Sequence, residues 1–256
     1  MHITTGALVL RSVDYKESDK ILTLLTQERG KLSASARGCR RRGSPLTAGS
    51  QLLCWSEAVL YDYQGRWTVK ELNPERQFEG IRNSVDKLAL ACYFAEVTEL
   101  LAVEGLPFPE LLSLCLNSLH ALDRLDKPQE LVKAAFELKA MCLAGYEPLL
   151  DGCAVCGAEH PEDPHFHLRE GVLHCGKCRK ELGEGVSLPV DGQILSAARH
   201  VTTGDPKRLF SFRLEEDGLH RLGGLAEAYL CTQLERGFGT LDFYHQMNFA
   251  VPRDQN

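Results

Sequence analysis

The chain has 256 residues, of which 44% are hydrophobic and 25% charged, and its formal net charge is −6. This balance is typical of a globular protein with one large domain or two to three small ones. No apolar run reaches the roughly 18 residues that span a bilayer, and the first residues lack the basic and apolar regions of a signal peptide. We therefore expect no membrane partner and a cytoplasmic location.

Charge is distributed unevenly along the sequence. Residues 1–80 contain 12 Lys and Arg against 9 Asp and Glu, whereas residues 81–256 contain 17 against 26. The net charges are therefore +3 and −9. Opposite signs in the two parts predict different partners for each part, without naming them.

The first 80 residues predict five short strands. Each segment is rich in β-branched and aromatic residues, and turn-forming residues lie between them. The segments are 6–15, 20–27, 31–37, 51–63 and 66–78. Five strands in about 75 residues fit a small closed barrel, and the OB-fold has this strand count.

Near residue 80 the hydrophobic period changes from that of strands to that of helices. Ser84 is a candidate N-cap, and further helices are predicted after Pro109 and after Pro128. The helical pattern resumes at 193–200, and a final helix is predicted at 218–236.

These elements predict an α+β multidomain protein. An N-terminal five-stranded OB-fold barrel is followed by an α-helical domain that contains an inserted four-cysteine zinc element. The predicted ranges are 1–80 for the OB-fold nucleic-acid-binding domain, 81–149 and 181–245 for the two parts of the helical domain, 150–180 for the zinc-binding insertion and 246–256 for a tail.

Two C-x-x-C pairs with the spacing C-x2-C-x18-C-x2-C give the most specific local pattern. The four cysteines are Cys153, Cys156, Cys175 and Cys178. Two such turns that face each other complete a tetrahedron of thiolates around zinc. Gly157 and Gly176 tolerate positive φ, which lets backbone N–H groups approach the sulfurs. We predict one structural Zn2+ ion, because four sulfurs leave no open position for catalysis.

Other interpretations of this segment fit less well. His165, His167 and His174 are alternative metal ligands, but four cysteines already complete the shell. A thioredoxin-like redox site needs one C-x-x-C pair beside a strand–helix unit. A deaminase-like site with His160 would leave Cys153 and Cys156 without a role.

Four arginines lie within six positions between the third and fourth predicted strands. They are Arg37, Arg40, Arg41 and Arg42. A guanidinium group presents a planar fork that suits phosphate oxygens, and a barrel with a basic rim is a common reader of single-stranded nucleic acid. The alternative is an ordinary solvated run of charge. Candidate aromatic residues for base stacking are Tyr15, Trp55, Tyr61, Tyr63 and Trp67.

The chain contains no recognisable catalytic pattern. It has no nucleophile elbow, no H-E-x-x-H motif and no dinucleotide fingerprint. Together with a closed zinc site, this favours a binding protein rather than an enzyme. The alternative that remains is a zinc-containing nucleic-acid-modifying enzyme.

The order of these parts resembles the RecO family of bacterial DNA repair proteins. The resemblance is carried by GALVLR at 6–11, YKESDKIL at 15–22, GKL at 30–32, GYEP at 145–148 and the ending from Leu222-Gly223 to Asp242-Phe243. It covers nearly the whole chain, and the order of the motifs is more specific than any one of them.

The resemblance implies a recombination mediator of the RecF pathway. Such proteins bind single- and double-stranded DNA, anneal complementary strands and help to load RecA on coated single strands in recombinational repair. It also implies a nucleoid-associated protein that is monomeric when free, and two protein partners: RecR and the acidic tail of single-strand DNA-binding protein. The DNA contacts of the family carry over to only five residues of this chain: Lys31, Arg37, Arg40, Arg41 and Arg42. Candidate cations for the acidic tail are Lys133, Lys139, Lys207 and Arg208.

Overall fold

Five strands close into a barrel at the start of the chain. The structure, a computed structural model, describes residues 1–250. The strands are β1 (His2–Tyr15), β2 (Asp19–Thr26), β3 (Gly30–Ala36), β4 (Trp55–Tyr63) and β5 (Arg66–Arg76). Their order around the barrel is β1-β2-β3-β5-β4. Neighbours pair antiparallel except β3 and β5, which are parallel. The predicted OB-like barrel is confirmed.

Small and branched side chains fill the barrel interior. Leu22 and Leu24 of β2 are fully buried there, together with Ala7 and Val9 of β1. The predicted fourth strand begins too early, because residues 51–54 form a turn in which the Cys54 N–H donates to the Gln51 carbonyl at 3.2 Å.

Seven α-helices lie within residues 1–250. They are α1 (Glu79–Arg82), α2 (Val85–Leu101), α3 (Pro109–Arg124), α4 (Gln129–Leu143), α5 (Gly192–Thr203), α6 (Glu216–Gln233) and α7 (Gly239–Ala250). Ser84 is the N-cap of α2, as predicted, and its side chain accepts the Lys87 N–H at 3.4 Å. Helix α7 was not predicted. It overlaps the predicted tail, and residues 251–256 of that tail lie outside the described residues. None of the helices in the described part combines the length and hydropathy that a membrane span needs.

The chain divides into two compact units. One contains residues 1–125 together with 238–250, and the other contains residues 126–237. In the first unit α2 packs against β1, α3 and α7, and Tyr93 of α2 meets Phe238 edge-on at 5.4 Å between ring centroids. The five predicted domain ranges stay a prediction.

The second unit combines helices α4, α5 and α6 with a small sheet. Its strands are β6 (Pro164–His167), β7 (Val172–Cys175) and β8 (Ser187–Pro189), in the order β7-β6-β8. A 3-10 helix over Gly176–Glu181 follows β7 directly. The predicted insertion, residues 150–180, contains β6 and β7, whereas β8 lies beyond its end. All three strands are too short for sequence alternation to reveal.

Candidate metal centre and nucleic-acid interface

Four cysteine sulfurs converge beside the small sheet. The Sγ atoms of Cys153, Cys156, Cys175 and Cys178 all lie within 4.8 Å of one another. The Sγ atom of Cys175 lies 3.8 Å from that of Cys153, 3.8 Å from that of Cys156 and 3.2 Å from that of Cys178. Four sulfurs about 2.3 Å from a central zinc ion would lie about 3.8 Å apart, whereas a disulfide needs about 2.05 Å. The sulfurs are therefore spaced as ligands, and the cluster can hold a metal ion.

Backbone geometry shapes the first cysteine pair. Gly157 has a φ of +72°, and its N–H donates to the Cys153 carbonyl at 2.9 Å. The Cys156 N–H approaches the Cys153 sulfur at 3.5 Å. Gly176 does not have positive φ, contrary to the sequence argument. A Cβ atom there would meet the Asp163 carboxylate, so that exposed side chain would have to move.

The thiols of the cluster differ in acidity. Burial by itself raises the pKa of Cys153, but the N–H groups of Cys156, Cys175 and Val155 lower it to about 6. The pKa of Cys178 is raised, first by its hydrogen bond with Cys175 and then by burial. Cys153 is thus the thiol that ionises most readily, and its negative charge makes ionisation of Cys178 less favourable. A bound cation would stabilise both thiolates.

The three nearby histidines make other contacts. His174 is fully buried, and its ring nitrogens pair with the Cys175 carbonyl at 3.0 Å and with Ser187 Oγ at 2.9 Å. His165 Nδ1 lies 2.8 Å from the Asp163 carbonyl, and His167 Nδ1 accepts the Glu170 N–H at 3.1 Å. At least one ring nitrogen of each histidine is therefore engaged within the protein.

The arginine loop, which we define as residues 37–43, lies between β3 and β4. The side chains of Arg37, Arg40, Arg41 and Arg42 are all exposed. Between them, Cys39 is buried in the barrel core, and its carbonyl accepts the Thr47 hydroxyl at 2.7 Å. The loop is therefore anchored at its centre while its arginines face solvent.

Comparison with known protein families decides the assignment of the chain. The family described as recombination protein O N terminal matches residues 1–78, and the family described as recombination protein O C terminal matches residues 82–242. The chain belongs to the RecO family.

Curated RecO proteins align along most of this RecO-family chain. The DNA repair protein RecO of Acetivibrio thermocellus is 31% identical over 242 residues, which are 94% of this chain and 96% of the relative. That of Alkaliphilus metalliredigens is 29% identical over 243 residues, or 94% and 98% of the two chains. That of Heliobacterium modesticaldum is 35% identical over 213 residues, or 81% and 76%.

Lys31 of this RecO-family chain lies apart from the arginine loop. It is near the start of β3, and five strand residues lie between it and Arg37, which places the two Cα atoms about 20 Å apart. Its ammonium group donates to the Glu99 carbonyl at 2.6 Å, in the last turn of α2. A cation there complements the negative end of the helix dipole, so Lys31 has a structural contact of its own.

Only two of the candidate stacking residues are exposed. Tyr15 is 48% exposed and Tyr63 is 60% exposed. Trp55 is buried, and Trp67 packs against the barrel core. Lys16 lies near the Tyr15 ring, with Nζ 5.3 Å from the ring centroid.

Two candidate cations for an acidic tail are engaged inside the second unit. Lys133 is 3% exposed and pairs with Glu137 and Glu227. Lys139 donates to the Thr202 carbonyl at 2.9 Å. The pair Lys133–Glu137 has the i, i+4 spacing of a helical ion pair, but the contacts with Glu227 and Thr202 join separate helices and could not be predicted.

A groove of about 830 Å3 lies elsewhere in the second unit. Its walls include the apolar side chains of Leu131, Ala197, Phe212, Leu214 and Leu219. Its rim carries two cations, Lys127 and Arg213, and two anions, Asp126 and Glu215. The groove was not predicted, since its residues come from three separate parts of the sequence.

Proposed function

We propose that this chain is a non-enzymatic recombination mediator in recombinational DNA repair. It binds single- and double-stranded DNA, anneals complementary strands and helps to load RecA on coated single strands. The observation that carries this proposal is the exposed arginine loop on a closed OB-type barrel. Annealing makes no covalent bond. It requires only that cations screen the phosphates while the bases stay free to pair.

Arg37, Arg40, Arg41 and Arg42 are the proposed DNA contacts, with Lys31 as a more distant one. Arginine forks fit phosphate oxygens, and each phosphate contact releases counterions from the nucleic acid. Binding should therefore weaken steeply with salt. Tyr15 and Tyr63, as exposed aromatics of the same barrel, are the residues of choice for stacking on bases.

Charge reversal tests the arginine loop. Replacing Arg40, Arg41 and Arg42 together with glutamate should weaken DNA binding strongly. For single strands, the slope of log affinity against log salt concentration should become shallower by about 2 or more, since each lost phosphate contact reduces the slope by about 0.7. The matched control replaces Arg169, Lys207 and Arg208, three exposed cations of the second unit, with glutamate. Equal weakening in both variants would reject a specific role for the loop.

Strand annealing tests the function itself. Two complementary fluorescent strands should pair faster with the protein, both free and coated by single-strand DNA-binding protein. The strands recovered afterwards should be chemically unchanged. An altered base or a cut strand would instead favour the alternative, a zinc-containing nucleic-acid-modifying enzyme. The convergence of four sulfurs supports the mediator, because a catalytic zinc ion keeps one position open.

We propose one structural zinc ion held by Cys153, Cys156, Cys175 and Cys178. Zinc supplies a centre of positive charge that holds two chain turns together, and the donor set is the one that structural zinc prefers. The site lies in the second unit, whereas the arginine loop lies in the first. Measured zinc should be one per chain, and a strong chelator should lower the melting temperature.

The acidic tail of single-strand DNA-binding protein is proposed to dock in the groove of the second unit. Apolar walls and the cations Lys127 and Arg213 support this, while Asp126 and Glu215 oppose it. Arg213→Glu should therefore weaken binding of a tail peptide, and Glu215→Lys should strengthen it. The partner RecR and the monomeric free state rest on the family resemblance alone.

A further inference from the structure

The tip of the β1–β2 hairpin, residues 14–19, holds the backbone of the arginine loop. The Arg40 N–H donates to the Ser18 carbonyl at 3.0 Å, and the Gly38 N–H donates to Asp19 Oδ1 at 2.7 Å. Gly38 has a φ of +66°, and its carbonyl accepts the Arg41 N–H at 3.1 Å. The loop therefore begins with a turn whose first amide is fixed by a carboxylate of the hairpin.

Asp19 is ionised in this position. The Gly38 N–H is the main cause that lowers its pKa, with smaller contributions from Ser18, Lys16 and Arg41, and these outweigh the opposing effect of desolvation. A charge-assisted hydrogen bond of this kind is shorter and stronger than a neutral one. Asp19 thus sets the path of the chain from which the arginines project.

A second carboxylate of the hairpin contacts an arginine side chain. Asp14 Oδ2 lies 3.1 Å from Arg40 Nη2, and the two side chains are 58% and 38% exposed. Arg37, Arg41 and Arg42 form no ion pair within residues 1–250. A carboxylate offers the same paired oxygens to a guanidinium group as a phosphate does.

We propose that the hairpin tip tunes DNA binding through two carboxylates of opposite effect. Asp14 competes with phosphate for Arg40 and weakens binding, whereas Asp19 is a positioning residue that fixes the loop and strengthens binding. This inference rests on the proposed function, because it needs the arginine loop to contact phosphate. The proposed DNA-binding surface thus includes two acidic residues beside its lysine and arginines.

The size of the Asp14 effect follows from the exposure of its ion pair. An exposed pair is worth about 0.2 to 1 kcal/mol, which corresponds to a factor of about 1.5 to 5 in affinity. Asp14→Asn should therefore tighten binding of a single-stranded oligonucleotide by about that factor. The gain should be larger at low salt, where the competing charges are least screened.

A double-mutant cycle separates competition at Arg40 from a general change of charge. In an Arg40→Gln background, Asp14→Asn should give no gain, since there is no guanidinium group left to release. Glu17→Gln is the matched control. It removes the same charge from the same hairpin, and Glu17 is exposed without a hydrogen bond or ion pair in the described part. The same gain in the Arg40→Gln background, or from Glu17→Gln, overturns the role of Asp14.

Two variants of Asp19 test its positioning role. Asn and Ala both remove the charge, but only Asn keeps an oxygen that can accept the Gly38 N–H. We expect Asp19→Ala to bind DNA more weakly than Asp19→Asn, with both proteins measured well below their melting temperatures. Equal affinities overturn the positioning role.

The outcomes separate this inference from the proposed function. If charge reversal of the whole loop leaves DNA binding unchanged, the proposed contact itself fails. If that reversal weakens binding, but Asp14→Asn gives the same gain as Glu17→Gln and the two Asp19 variants bind equally, only the proposed tuning by the hairpin fails.

Discussion

The buried lysine of the second unit gives the sharpest prediction about stability. Lys133 Nζ lies 2.9 Å from Glu137 Oε1 on the same helix and 2.6 Å from Glu227 Oε2 on α6. The side chain of Glu137 is completely buried, whereas that of Glu227 is 28% exposed. Lys133→Met keeps a long apolar side chain but leaves the Glu137 carboxylate without its cation.

The expected loss is large because the remaining charge is buried. Breaking a buried ion pair by removing one partner costs about 3 to 5 kcal/mol. The unit has roughly 110 residues, for which about 4 °C per kcal/mol gives a fall in melting temperature of about 12 to 20 °C. Urea titration followed by far-UV circular dichroism measures the free energy of unfolding directly.

The loss should depend on pH. Burial lowers the pKa of Lys133, but the carboxylates of Glu137 and Glu227 outweigh burial and raise the pKa above its usual 10.5. The ammonium group therefore contributes its full stabilisation below about pH 10.5, and the contribution is lost as the pH rises through the raised pKa. The difference between wild type and Lys133→Met should be largest near neutral pH and should shrink in strong alkali.

Lys133→Met combined with Glu137→Leu is the control. Replacing a buried ion pair by apolar groups of similar volume is often neutral, so most of the lost stability should return. A loss below about 1 kcal/mol in the single variant would refute this account of the buried ion pair. So would a double variant that is as unstable as the single one.

Four further changes test other parts of the structure. Cys178→Ser should lower metal content below one ion per chain and lower the melting temperature, while annealing at low temperature persists. Lost annealing with an unchanged melting temperature would give the metal a functional role. Gly171→Ala should destabilise the second unit by about 2 kcal/mol or more, since its φ is +65° and the new Cβ would lie 2.6 Å from Tyr229 Oη. Gly43→Ala, at φ +77° with open space around it, should cost only about 1 kcal/mol in thermal unfolding. Asp123→Ala removes the carboxylate that accepts the first amides of α1 and should cost about 1 kcal/mol.

Features with a local signature could be predicted from the sequence. The five strands, the Ser84 N-cap and the helix after Pro109 all depend on residues a few positions apart. The convergence of the four sulfurs could also be predicted, because each C-x-x-C turn brings its own two sulfurs together. The fold then has to bring only the two turns into contact. The arginine loop was visible as a run of like charges.

Features that join distant parts of the chain could not be predicted in this way. Helix α7 reaches only 12 residues, and it is held by α2 from more than 130 positions away. The sequence does not show that the Lys31 ammonium group bonds the Glu99 carbonyl. Nor does it show that Lys133 pairs with Glu227 of α6.

The sequence by itself determined which chemical groups this protein presents: four thiols in two pairs, and a run of arginines between two strands. Only the tertiary structure decided which of its charges are available to a partner. Asp14 and Arg40 are 26 positions apart, and the pairing of β2 with both β1 and β3 brings their side chains to 3.1 Å. Because electrostatic interaction depends on distance in space and on burial, a charge has no defined role until the chain around it is folded.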